Sequence, residues 1–278
     1  MVEAVRGLSG EKRAGHTGTL DPAACGVLPI CLGQAVRLTE YIHGFSKEYL
    51  AGIMLGATTD TLDAQGSIIS RSDTTDITED RVLQVIKGFI GDISQVPPLY
   101  SALRIGGKRA YRLVREGIHP LLEPRHVTIE AIDMMAFELP YLRVRMRCSS
   151  GTYIRAFARD LGITLGCGAY LQDLTRISYG PYRLKEALSI DELARTIRDR
   201  GIESVLHPID HPLQSWPKHV LDDHDSACIR NGIAIHISSS MPKTDQMLRC
   251  YDSRGKFLAI LKFAAENDLW WPQKVFNL

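Results

Sequence analysis

YLRVRMRCSSGTYIRAFARDLG, residues 141–162, carries two different periodicities back to back. In its first half Leu142, Val144, Met146 and Cys148 alternate with Arg143, Arg145 and Arg147, which predicts a strand with one apolar face and one cationic face. In its second half Ile154, Phe157, Ala158 and Leu161 recur at helical spacing, and Gly162 is positioned to end the helix. The SSGT turn between them makes the unit strand, turn, helix. Working outward, VTIEAIDMMAF (127–137) reads as another strand, and KEYLAGIMLG (47–56) as a strand buried on both faces. TTDTLDAQG (58–66) is a polar turn leading to the short strand SII. Val82, Val85, Ile86 and Phe89 predict an amphipathic helix with Glu79 and Asp80 near its positive end, and Ala35, Leu38 and Ile42 a short one closed by Gly44.

Downstream, Ser189 and Glu192 stand at capping-box spacing, so a helix starts there. HPIDHPLQSWP (207–217), with three prolines, reads as a linker, and LRCYDSRGKFLAILKF (248–263) as strand, turn, strand. Strands and helices interleave without a regular βαβ period. The expected class is therefore α+β: a mixed, largely antiparallel central sheet flanked by helices in residues 1–210, then a small β-rich domain in 211–278.

Composition narrows function only a little. The 278 residues carry 33 Lys plus Arg against 32 Asp plus Glu, so a nucleic-acid partner has to be argued from where the cations lie. Arg104, Lys108, Arg109, Arg112 and Arg115 cluster on a Gly-Gly turn and the basic helix closed by Gly117, a pattern suited to phosphates. No apolar run is long enough to span a bilayer, and MVEAVRGLSGEKRAGH lacks the apolar middle of a secretory signal, so the expected location is cytoplasmic. The six cysteines are scattered without a Cys-x-x-Cys pair, which suits reduced thiols. His207 and His211 have the spacing of helical metal ligands, but a proline follows each and breaks the helix that would align them.

GHTGTLDP (15–22) supports two compatible readings. Asp followed by Pro is a common helix start, with Asp as the cap and Pro in the first turn. The six residues before that pair are not explained by a cap: Gly15 and Gly18 free the backbone while His16, Thr17 and Thr19 offer polar groups, the dress of a ligand-binding loop.

Together, GHTGTLDP with AACGVLPICLG, KEYLAGIMLGATTDTLDAQG, SGTYIRAFARDLG and LTRISYG resemble, in this order, the motifs of the bacterial tRNA pseudouridine synthases of the TruB family. The resemblance implies the pseudouridine synthase fold with a PUA-like carboxyl-terminal RNA-binding domain. It implies an isomerase that converts uridine 55 of the tRNA T-loop by extracting the base, with Asp21 as nucleophile and neither metal nor organic cofactor. It gives Arg176 as the cation paired with Asp21, and Tyr49 as the ring against the uracil and a candidate for removing the C5 proton. His16 would enter the vacated stack and Tyr153 would help build the pocket floor, while Arg104, Lys108 and Arg112 would contact tRNA phosphates. The expected partner is tRNA, with no membrane, no obligatory protein partner and a monomeric state. Family members carry a Lys-Pro-x-Gly-x-Thr-Ser strand ahead of the helix that MVEAVRG continues, and that segment is not in this sequence. Ser150 stands where many members have lysine, and Asp173 where some have an aromatic residue. A noncatalytic RNA-binding protein on the same scaffold, and a hydrolase with an aspartate nucleophile, are the alternatives.

Overall fold

The computed structural model describes residues 1–101, 103–118, 120–237 and 247–277. They form two compact units, each assembled from separated pieces of chain: Gly18–Pro29 with His43–Ala187, and Met1–Thr17 with Ile30–Ile42 and Leu188–Leu278. Among the described residues no helix is long and apolar enough to cross a membrane.

The first unit is built on the sheet that residues 141–162 predict. Its strands run in the order Tyr182–Arg183, Ala169–Tyr179, Lys47–Leu55, Tyr141–Cys148, Arg125–Glu138 and Gly91–Gln95, all pairing antiparallel. Ala24–Gly26 adds to Ala169–Tyr179 in parallel. Lys47–Leu55 sits in the middle, and Ala51 and Ile53 are wholly buried. On Tyr141–Cys148 the alternation is realised residue by residue: Leu142, Val144, Met146 and Cys148 are fully buried. The opposite face neutralises two of its cations across the sheet, Arg145 to Glu48 at 2.6 Å and Arg147 to Glu130 at 2.7 Å.

Helix Ile154–Leu165 contributes Phe157, Ala158 and Leu161 to the same core, and helix Glu79–Lys87 joins it through Val82, Val85 and Ile86, with Phe89 just beyond the helix in edge-on contact with Phe157 at 5.2 Å. Fully burying each large apolar side chain is worth about 1.5–3 kcal/mol, so this layer supplies much of the stability of the unit. The helix does not end at Gly162. It continues to Leu165 and closes at Gly166, whose φ of 82° is the left-handed value a terminator needs. Gly162 has another reason to be glycine: a Cβ there would lie 2.2 Å from the Ala169 backbone nitrogen, where the following strand crosses the helix. The segment before Gly44 likewise departs from one regular helix, running as a 3-10 helix Gly33–Leu38 into the short α-helix Thr39–His43.

The second unit contains a four-stranded sheet, Lys218–Val220, Met247–Tyr251, Phe257–Ala264 and Leu269–Val275, the first pair parallel and the rest antiparallel. Helix Ile190–Arg200 starts with the capping box formed by Ser189 and Glu192. The proline-rich stretch 207–217 is packed rather than free. Pro212 and Leu213 are buried, and Asp210 is ion-paired with buried Arg249 at 3.0 Å, so a segment that reads locally as a linker is held by a long-range ion pair.

Candidate active site

Asp21 does not cap a helix. Pro22 and Ala23 form a tight turn, closed by the Ala24 amide donating to the Asp21 carbonyl at 2.9 Å, and the chain then enters strand Ala24–Gly26. Pairing with Leu174, Thr175 and Arg176 overrides the local helix-start signal, because those ladder bonds satisfy backbone groups that a helix start would leave open. The carboxylate is left at the rim of a shallow pocket lined also by Ala24, Asp63, Arg155, Asp173 and Leu174.

The cation that holds it is Arg155. Its Nε donates to one Asp21 carboxylate oxygen and its Nη2 to the other, both at 2.8 Å, the fork-to-fork arrangement that fixes orientation as well as charge. Arg155 is 6% exposed, yet every side of it is answered: Nη1 donates to the Thr61 carbonyl at 3.1 Å, Nη2 to the Tyr100 carbonyl at 3.0 Å, and Asp63 lies 3.5 Å from Nη1. Asp63 is itself held by the Thr61 hydroxyl at 2.6 Å and the Gln65 amide at 3.1 Å. Its loop is clipped to strand Ala169–Tyr179 by bonds on either side, Leu171 N to Leu62 O and Ala64 N to Leu171 O. Leu62 takes a φ of 65°, a left-handed conformation costing a bulky residue about 1–3 kcal/mol, which the clip enforces. The Asp21 side chain keeps 37% exposure, so one buried guanidinium presents a negatively charged oxygen pair to the pocket.

Arg176 is therefore not the partner of Asp21. Its strand register sets it opposite Gly26 and Tyr49, and its Nε and Nη2 donate to the carbonyls of Val27 and Gly18 at 2.7 and 3.1 Å. Tyr49 is 7% exposed and faces Arg176 across the strand pair. Burial pushes its phenol up to about 12, with Arg176 pulling only partly the other way, so the hydroxyl is protonated at neutral pH.

His16 belongs to the other compact unit, exposed at the end of strand Ala14–His16, where it pairs with Ile30. Tyr153 caps helix Ile154–Leu165, its amide donating to buried Gln95 at 2.8 Å and its carbonyl accepting from the same side chain at 3.2 Å, while its own side chain is half-buried. Arg104, Lys108, Arg109, Arg112 and Arg115 are all exposed on a two-strand ribbon and helix Ala110–Arg115. Lys108 is paired with Glu116 at 2.9 Å, which removes one charge from the patch.

Arg155 and Asp63 were not singled out by periodicity or spacing. The one signal for Arg155 is its helical line: Ala158 and Gly162 follow at three and seven residues, small side chains that mark the line of closest approach to the sheet, where a guanidinium is conspicuous.

The description "TruB family pseudouridylate synthase (N terminal domain)" matches residues 6–154, and "tRNA pseudouridylate synthase B C-terminal domain" matches residues 155–214. A tRNA pseudouridine synthase B from Dehalococcoides mccartyi (strain ATCC BAA-2266 / KCTC 15142 / 195) is 39% identical over 276 residues, 99% of this chain and 91% of the relative. One from Clostridium kluyveri is 38% identical over 262 residues, 94% of this chain and 89% of the relative. Among solved structures, an H/ACA RNP bound to a substrate RNA containing 2'-deoxyuridine superposes with a TM-score of 0.74 at 22% identity, over 100% of this chain and 80% of that one. A Cbf5-Nop10-Gar1 complex does so with a TM-score of 0.73 at 24% identity, over 99% and 79%. At such identities these two speak for the fold alone. The match to the first family description ends at Ile154 and the second begins at Arg155, so the two meet at the helix that grips Asp21, and the chain belongs to the TruB family of pseudouridine synthases.

Proposed function

We propose that this protein isomerises uridine 55 in the T-arm of tRNA to pseudouridine with Asp21 as the nucleophile. The observation that carries the reading is the bidentate Arg155–Asp21 pair at a pocket rim. A carboxylate needs no base to activate it, and the bidentate guanidinium fixes the direction of its oxygens. In the reaction an Asp21 oxygen bonds to C1′ of the ribose and the C1′–N1 bond breaks, its electron pair leaving with the uracil. The base turns, C5 bonds to C1′ as Asp21 departs as a carboxylate, C5 gives its proton to solvent, and N1 takes one up from solvent. No atom is gained overall and no net electron moves.

Two further groups support an RNA substrate. The exposed cations of 104–115 suit phosphate contacts, and RNA loops are recognised through backbone and splayed bases, which a near-neutral protein with a local basic patch can do. We read the four-stranded sheet of the second unit as a PUA-like RNA-contacting module, and the enzyme as a cytoplasmic monomer working on free tRNA. Tritium release from tRNA labelled at uridine C5 tests the proposal. The native chain is expected to release it, and Asp21→Asn to be slower by at least ~10³-fold because an amide is a poor nucleophile. Equal rates would remove Asp21 from the mechanism.

A further inference from the structure

Arg176 is only 1% exposed, yet among the described residues it forms no ion pair. A buried guanidinium without a carboxylate is costly, and an apolar side chain at this strand position would avoid that cost. What it touches offers a reason. Nε grips the Val27 carbonyl and Nη2 the Gly18 carbonyl, and the Arg176 backbone carbonyl accepts from the Val27 amide at 2.9 Å. The guanidinium carbon lies 5.0 Å from the centre of the Tyr179 ring, whose hydroxyl would be 3.3 Å from a Cβ on Gly18. Gly26, paired with Arg176, has no room for any side chain, since a Cβ would stand 2.2 Å from the Arg176 carbonyl oxygen. The segment 18–27 is thus tied at both ends by one side chain, and Asp21 with its turn lies between the ties.

We infer that Arg176 is a positioning residue for the nucleophile. It bridges Gly18 and Val27 so that the Asp21 turn is presented in one conformation to Arg155 and the substrate. This rests on the reading of Asp21 as the nucleophile. The bridge needs the rigid, two-pronged guanidinium; a lysine keeps the charge but reaches as a single point. Loops fixed at both ends present their groups in a narrow set of geometries, and small misplacements of a reacting group cost large factors in rate.

The test compares the native chain with Arg176→Lys, Arg176→Met and Asp21→Asn. The readouts are single-turnover pseudouridine formation at saturating tRNA, tRNA binding, and amide hydrogen exchange. Arg176→Lys is expected to slow the single-turnover step by about thirtyfold or more while tRNA affinity stays within about threefold. Exchange is expected to accelerate in residues 18–27 but not in strand Phe257–Ala264. A lysine variant within about threefold of the native rate would overturn the inference by assigning the effect to charge alone. Acceleration spread evenly through both sheets, or failure of both Arg176 variants to fold, would overturn it in favour of a structural role. If the native chain itself made no pseudouridine, the proposed activity would fall, and the exchange pattern would still decide the bridge.

Discussion

The two compact units each bury an arginine against an aspartate, and the pairs serve different ends. In the second unit Arg249 reaches Asp210 at 3.0 Å and donates to the carbonyls of Trp216 and Gln214, while Tyr251 donates its hydroxyl to the same carboxylate. The Asp210 side chain is 11% exposed, whereas that of Asp21, gripped by Arg155, is 37% exposed. Burial and the nearby Asp210 charge push Tyr251 up to about 12, so it stays a donor at neutral pH. The same chemistry makes a latch where the carboxylate is enclosed and a presented carboxylate where it is left partly exposed. The difference lies in what covers the aspartate, and in a two-pronged grip on Asp21 against a single guanidinium nitrogen on Asp210.

The largest effect that could break this contrast comes from the aspartates. Asp21→Asn should leave the chain folded and reduce tritium release by at least ~10³-fold, while Asp210→Asn should retain most of the rate per folded molecule and lower the urea midpoint. Loss of catalysis from both at equal stability would abolish the distinction. Next come the arginines. Arg249→Met strands a buried carboxylate and should cost on the order of 3 kcal/mol in urea unfolding. Arg155→Met should cost less stability, because Asp21 can turn to water, and should lower the single-turnover rate by about a hundredfold.

A smaller effect extends the comparison to Lys47, a buried cation held by carbonyls and a ring: its ammonium donates to the Phe45 carbonyl at 3.0 Å and lies over the Tyr179 ring at 4.3 Å. Burial, and then the nearby Arg176 charge, lower it from 10.5 to about 8. Between about pH 8 and 10.5 the unfolded chain therefore binds the extra proton, so this group makes stability rise with pH through that window. The penalty for a charged Lys47 is fully present below pH 8. Native protein should gain on the order of 2 kcal/mol relative to Lys47→Met between pH 7.5 and 10, by urea unfolding of both. Parallel curves would place the lysine in water. The smallest effect is at the exposed patch: Arg112→Ala should weaken tRNA binding by about 1 kcal/mol and lower the salt slope by about 1.

Periodicity carried the strand and helix of 141–165 because it is a local property, repeated over enough residues for the buried face to be read directly. It failed at Gly162, where closeness to Ala169 and not chain termination requires glycine, and at 207–217, where prolines signal a break that Arg249 cancels from another part of the chain. Asp21 was legible as a candidate site residue because its loop carries more polar and flexible groups than a cap needs, and because the surrounding motifs occur in order.

By itself, the sequence determined which segments are apolar on one side, and hence the α+β architecture, and it marked Asp21 as a carboxylate set in a loop. Only the tertiary structure decided which arginine holds it. Asp21 and Arg155 are 134 positions apart, and Arg155 and Arg176 look alike as basic residues within recognisable motifs. Strand register turned Arg176 onto Gly18 and Val27, and the helix starting at Ile154 turned Arg155 onto Asp21. Direction in space comes from how elements pack, and no local pattern encodes it.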